Sequence, residues 1–311
     1  MSFTMKIKEE IGSLDYPVLE NIAELSGFIR SNYKYTLDRI ELVTENKVVA
    51  TRILKLIDEV YGIEGSIEYK KLGNFNSKKI YVIEITNKVK MILKDLSLID
   101  ENDNFIESPK EYITGSLEEE KAYIRGSFLA KGSISDPANQ YHLEIVFDNK
   151  YEAVFIQRLL NEFDLNAKII IRDTKYMVYI KEAEKISDFL KVIGASMSVL
   201  YFEDTRITKE YKNKTNRLNN CEQANMDKII MTANEQIKQI NYIDDVMGLD
   251  LLDEKLIETC NYRIKYPEAS LEELSKIISL ETNNKVTKSG LNHRMRKIKE
   301  IYERLINNKN E

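Results

Sequence analysis

Ala122-Tyr-Ile-Arg-Gly-Ser-Phe-Leu-Ala-Lys-Gly132 reads as a helix with one face of small residues, because Ala122, Gly126 and Ala130 recur every fourth position and stand above one another. Ile22-Ala-Glu-Leu-Ser-Gly-Phe-Ile-Arg-Ser-Asn-Tyr33 repeats the pattern earlier in the chain, with Ala23, Gly27 and Ser31 at the same spacing. Glycine inside a helix costs about 1 kcal/mol relative to alanine, so its recurrence needs a compensating contact. Close helix-to-helix approach supplies one, since two backbones come near only where side chains vanish at the crossing. Ala23, Gly27, Ala122, Gly126 and Ala130 are therefore expected to form the packing surface of a helix pair.

The duplication extends past these helices. Strand-like Arg39–Lys47, helical Arg52–Val60 and the β-like runs Ile63–Lys70 and Lys79–Thr86 follow the first copy. After the second come His142–Lys150, Phe155–Phe163, Ala167–Arg172 and Lys175–Ile180 in the same order. Segments 87–98 and 183–193 close the two units, and a further strand beside the first run of each is weakly marked. Internal repetition of this length predicts a pseudo-two-fold with the glycine helices at its axis.

The paired segments resemble degenerate copies of the LAGLIDADG motif of homing endonucleases. The resemblance implies an α+β domain of two saddle-shaped antiparallel sheets around a central helix pair, placed on DNA. It also implies an acid before the final glycine of each motif, holding a catalytic metal ion. Here Asn32 and Lys131 occupy those positions. Metal-assisted hydrolysis needs carboxylates to fix its ions, and an ammonium repels them. The expectation is a scaffold without catalytic residues, metal or cofactor, and so not an enzyme.

The chain has 311 residues, 43% hydrophobic and 31% charged, with a formal net charge of −5. Such a composition suits a globular protein, and any nucleic-acid site must be a local patch. Cys221 and Cys260 fall far short of a disulfide framework. No apolar run reaches the roughly 20 residues of a membrane span and no signal-peptide core begins the chain, so a cytoplasmic, nucleoid-associated protein is expected. Cys221 has no histidine near it and reads as a packed small residue; His142, at the start of a strand, reads as structural. Walker, Gly-x-Gly-x-x-Gly and Cys-x-x-Cys motifs are absent from the sequence.

Thr205–Arg217 carries Arg206, Lys209, Lys212, Lys214 and Arg217 against one acid, Glu210. A solvated linker is the bland reading of such a run; a clamp on phosphates is the sharper one. Phe202-Glu-Asp-Thr-Arg-Ile-Thr-Lys209 and Asn216-Arg-Leu-Asn-Asn-Cys-Glu-Gln-Ala-Asn225 resemble the segment joining the domains of the WhiA family of bacterial transcription regulators. Nearly the whole chain shares that resemblance. It implies a degenerate LAGLIDADG-like domain at 1–201 (repeats about 1–100 and 112–201), a basic linker at 202–221, and an all-α helix-turn-helix domain at 222–311.

Ser270-Leu-Glu-Glu273 is a capping box that opens a short helix. After a polar connection, Leu291, Met295, Ile298 and Leu305 mark an apolar stripe on a second helix. Its other side begins Lys288, Ser289, Asn292, His293, Arg296 and Lys297, with Arg294 beside them. Basic and amide side chains at a helix N-terminus suit base-edge readout in a major groove. These seven residues and the five of the junction are the expected contacts to double-stranded DNA. The family resemblance implies roles in cell division, chromosome segregation and, in spore formers, sporulation. Two rivals stand beside this reading: a module that holds RNA polymerase or another transcription factor through the saddle, and a still-active homing endonuclease.

Overall fold

The computed structural model describes residues 1–63, 66–72 and 78–309. Its chain divides into two compact units, Met1–Glu210 and Tyr211–Glu311.

The first unit opens with α1 (Phe3–Gly12), whose Phe3, Ile7 and Ile11 are buried at four-residue spacing. The first repeat follows as α2 (Val18–Asn32), β1 (Ile40–Thr44), α3 (Lys47–Tyr61), β2 (Ser66–Leu72), β3 (Lys78–Ile85) and α4 (Val89–Asp95). The second runs α5 (Leu117–Lys131), β4 (Gly132–Ile134), β5 (Leu143–Phe147), α6 (Lys150–Glu162), β6 (Lys168–Arg172), β7 (Lys175–Ile180) and α7 (Ala183–Val192). The strands form two antiparallel sheets, ordered β1-β3-β2 and β4-β5-β7-β6. Asparagine caps the helix after the first long strand in both copies: Asn46 Oδ1 accepts from Val48 N and Val49 N, and Asn149 Oδ1 from Tyr151 N.

The weakly marked extra strand forms in one copy only. α5 leaves through an extended Gly132 directly into β4, whereas α2 ends at Tyr33 in the left-handed region, φ +55°. That turn leads the chain to a lone bridge between Tyr35 and Ile40. β4 lies at an edge, and α1 reaches it: Thr4 Oγ1 donates to Ile134 O at 2.8 Å and accepts from Ile134 N at 2.9 Å.

α2 and α5 cross at their glycines. A Cβ on Gly27 would overlap the Tyr123 carbonyl oxygen, and one on Gly126 would overlap that of Glu24. Ala23 and Ala122 are buried in the same core, while Ala130 lies at its margin. The crossing also holds charge. Glu24, fully buried, accepts from Arg52 of α3 at 2.8 Å and from Arg125 of α5 at 2.6 Å, and the Arg125 guanidinium lies 3.5 Å from the centre of the Tyr16 ring. A buried carboxylate survives desolvation only when so paired.

The expected basic linker, 202–221, is helical. α8 (Ser196–Met247) runs through it, and its sequence contains neither glycine nor proline to stop it. Glu10 holds the start of α8 by accepting from Met197 N and Ser198 N at 2.6 and 3.0 Å.

In the second unit the later part of α8 packs with α9 (Glu254–Lys265), α10 (Leu271–Thr282) and α11 (Lys288–Lys309). Ile240, Ile243, Leu256, Cys260, Leu274 and Ile278 share one core with Leu291, Met295 and Ile298. The capping box forms in full: Ser270 Oγ accepts from Glu273 N and Glu273 accepts from Ser270 N. Asn283, φ +56°, ends α10 and starts the short connection to α11.

Gly126→Ala is expected to cost about 3 kcal/mol, because its methyl meets a backbone carbonyl that cannot yield without parting the helices. Urea unfolding of the variant measures this, and an unchanged midpoint would show that the crossing is not tight.

Candidate functional site

α11 separates its residues by angle. Leu291, Met295 and Ile298 are buried against the core, whereas Ser289, Asn292, His293, Arg296 and Lys297 are exposed on the opposite side of the first turns. Glu300 and Glu303 interrupt that polar face, so its cationic and amide groups run unbroken by acids only in the first turns, with Lys299, Arg304 and Asn307 exposed further along. Thr287 Oγ1 accepts from Gly290 N, which sets the first turn. Lys288 is exposed and lies 3.7 Å from Glu272 of α10.

Arg294 departs from the expected contact set. Its guanidinium donates to Glu258 at 2.9 Å and to Thr259 Oγ1 at 3.3 Å, so it ties α11 to α9. Helical geometry explains this, since position 294 lies three residues after buried Leu291 and four before buried Ile298, on the border of the apolar stripe.

The junction cations also divide. Arg206 is bound to Glu203 at 2.7 Å, with Glu210 and Glu184 near it; those acids hold its pKa above the usual range, first through the Glu203 hydrogen bond. Lys209 donates to Pro137 O at 3.0 Å and lies over the Tyr141 ring. Both serve the first unit. Lys212, Lys214 and Arg217 are exposed along α8.

The two positions that the sequence resemblance aligns with the metal-holding acids of homing endonucleases converge. Asn32 and Lys131 line one cavity of about 610 Å³ at the C-terminal ends of α2 and α5. Asn32 is buried and donates back to Phe28 O at 3.2 Å; Lys131 lies 3.7 Å from Asp148. Lys8 and Lys34 line the same space with, among the described residues, one carboxylate, Glu45. A hard divalent ion needs several anionic oxygens, and three ammonium groups beside one acid do not fit it. Among the described residues no group of three or more His, Cys, Asp or Glu side chains is placed to hold a metal.

Sequence reading overlooked Lys8, Arg52 and Glu24. Lys8 belongs to the N-terminal helix, and no spacing signal connects it to Lys131. The charge inside the motif helices, Glu24 and Arg125 among small and apolar residues, was the available sign of a buried ion network. Cys221, expected to be packed, is exposed, with Asn225 Nδ2 3.9 Å from its sulfur. Burial instead belongs to Cys260, whose thiol it pushes up to about 12. His142 lies 3.0 Å from Glu144 on the second sheet.

Three family models match the chain: the WhiA N-terminal LAGLIDADG-like domain at residues 19–99, the WhiA LAGLIDADG-like domain at 120–212 and the WhiA C-terminal HTH domain at 215–302. The probable cell division protein WhiA of Bacillus subtilis (strain 168) is 39% identical over 310 residues, 98% of this chain and 97% of that protein. Its counterpart in Bacillus cytotoxicus is 38% identical with the same coverage. The chain belongs to the WhiA family. Full-length WhiA from Thermatoga maritima shares the fold, with a TM-score of 0.58 at 24% identity over 98% of this chain and 99% of the other. The architecture is thus that of WhiA proteins, a duplicated LAGLIDADG-like α+β domain followed by a helical HTH domain. Among the described residues no helix is long and apolar enough to cross a membrane.

Arg294→Ala is expected to destabilise the second unit by about 1 kcal/mol, after allowance for partial exposure of its ion pair, and Arg296→Ala by less than about 0.5 kcal/mol. Native-state hydrogen exchange at α9 and α11 amides distinguishes them; equal protection in both variants would return Arg294 to the solvent-facing set. A plasmid incubated with Mg²⁺ is expected to stay intact with the wild type and with Lys131→Asp, because one added carboxylate leaves Lys8 and Lys34 in the cavity. Nicking by either protein would refute the assignment.

Proposed function

We propose that this WhiA-family chain is a sequence-specific double-stranded-DNA-binding regulator without nuclease activity, whose reading element is the first two turns of α11. The observation that carries the reading is the division of α11 itself. Its apolar stripe is spent on the core, while Ser289, Asn292, His293, Arg296 and Lys297 remain outside at the end of the helix suited to base edges. Lys288 sits at the same end and suits a phosphate contact.

Of the junction cations, Lys212, Lys214 and Arg217 are proposed as backbone contacts; the ion pairs of Arg206 and the carbonyl contacts of Lys209 engage those two elsewhere. The name carried by the relatives supports a role in cell division, to which we add chromosome segregation and, in spore formers, sporulation, in a nucleoid-associated protein. The donor set between α2 and α5 supports the non-catalytic part of the proposal, because a metal-bound water has no carboxylate pair to hold its ion there.

Crosslinking across the genome supplies the duplex, and gel shifts with the full chain supply the affinities. Asn292→Ala and Arg296→Ala are each expected to weaken the specific complex by about 1–3 kcal/mol and to relax sequence preference. Lys214→Gln is expected to weaken specific and non-specific duplexes alike and to reduce the salt slope by about 0.9. Wild-type affinity in both α11 variants would remove that helix from the reading role.

A further inference from the structure

The cavity that joins Asn32 to Lys131 has more positive charge than its surroundings balance. Lys8 reaches it from α1, Lys34 from the turn after α2 and Lys131 from the end of α5, against Glu45 as the lining carboxylate. Their outside partners are shared. Asp148, 3.7 Å from Lys131, also holds Lys175 at 3.2 Å; Glu41, 3.5 Å from Lys34, also holds Arg39 at 2.9 Å, with Glu84 3.1 Å from Arg39 as a second partner.

Asn46 is an independent sign. It is 2% exposed and lines the cavity, and its Oδ1 is committed to the first amides of α3, which leaves its Nδ2 on the other side. Among the described residues that amide group meets only the Met5 thioether, at 3.8 Å, a weak acceptor for a buried donor. The positive end of the α3 dipole lies at the same residue and offsets part of the negative ends of α2 and α5.

We propose that this cavity binds a small phosphate-bearing molecule, its phosphate held by Lys8, Lys34, Lys131 and the Asn46 amide. A phosphate supplies the acceptor oxygens that these donors lack. The volume of about 610 Å³ exceeds a bare phosphate and leaves room for an organic group such as a nucleoside or a sugar. The site does not depend on DNA recognition by α11.

Lys8 gives the binding a pH signature. Burial lowers its pKa to about 8, Lys131 lowers it further and Glu45 opposes them. A bound phosphate favours the charged amine, so binding takes up a proton once the free lysine is deprotonated. Affinity therefore falls as pH rises through 8. A phosphomonoester, with its second pKa about 6, is already ionised across that range and adds no slope of its own.

Calorimetric titration of the full chain with inorganic pyrophosphate, AMP and glucose 6-phosphate tests the assignment, the last two separating a nucleotide from a sugar phosphate. At least one probe is expected to bind one per chain and at least about tenfold more weakly to Lys131→Gln; for AMP and glucose 6-phosphate, already ionised across the range, affinity is expected to fall from pH 7 to pH 9 in the wild type but not in Lys8→Met. Lys131→Gln is expected to keep wild-type DNA affinity, which separates this site from the reading helix. Failure of all three probes to bind the folded wild type, or equal affinity in Lys131→Gln, would overturn the proposal. So would displacement of the probe by duplex DNA, which would assign the lysines to a nucleic-acid backbone.

Discussion

Backbone meets backbone where α2 crosses α5, and the first unit is arranged around that contact. Gly27 lies against the Tyr123 carbonyl and Gly126 against that of Glu24, so neither position tolerates a side chain. Helices this close have no room for ordinary core residues between them. The charged members of the motif are displaced to the flanks, where Glu24 joins Arg52 and Arg125 on one side and Arg30 donates to Ile106 O at 2.7 Å on the other. Glu152, fully buried beside Arg30, is raised to about 7 by burial, with Arg30 and the Tyr123 hydroxyl opposing. The core is thus apolar in bulk and ionic at its axis, an arrangement that favours one register of the helix pair over neighbouring ones because a slip would strand buried charge.

The same crossing brings two helix ends together. C-terminal helix ends attract positive charge, and a metal-dependent hydrolase would add acids there to hold dications. In this chain ammonium groups stand at the ends instead, which removes the means of binding a hard cation and leaves a polar, positively charged cavity. Asn32 and Lys131 offer a hard cation no carboxylate at these ends, and Lys131 adds positive charge to the cavity.

The second unit divides labour by helix angle. Each turn of α11 must serve the core with one side, and the core is small enough that α8, α9 and α10 all contribute to it. Residues off the buried stripe stay exposed, and a long side chain on its border can be drawn into contact with a neighbouring helix. Arg294 is such a border residue, and Glu258 claims it. Arg206 and Lys209 follow the same rule at the start of α8, because acids and carbonyls of the first unit lie within reach of long flexible side chains.

The sequence by itself determined the duplication, the identity of the crossing residues, the absent metal-holding acids and the capped helix before α11. Each of these depends on local spacing or residue type, which the chain states directly. Tertiary structure decided the rest: that 202–221 is helical, that Arg294, Arg206 and Lys209 are engaged within the protein, that Cys221 is exposed, and that Lys8 joins Lys131. Those outcomes depend on which groups from distant parts of the chain arrive beside a given side chain. A list of charges does not contain that information, since whether a cation is free or paired is settled only when its neighbours are in place.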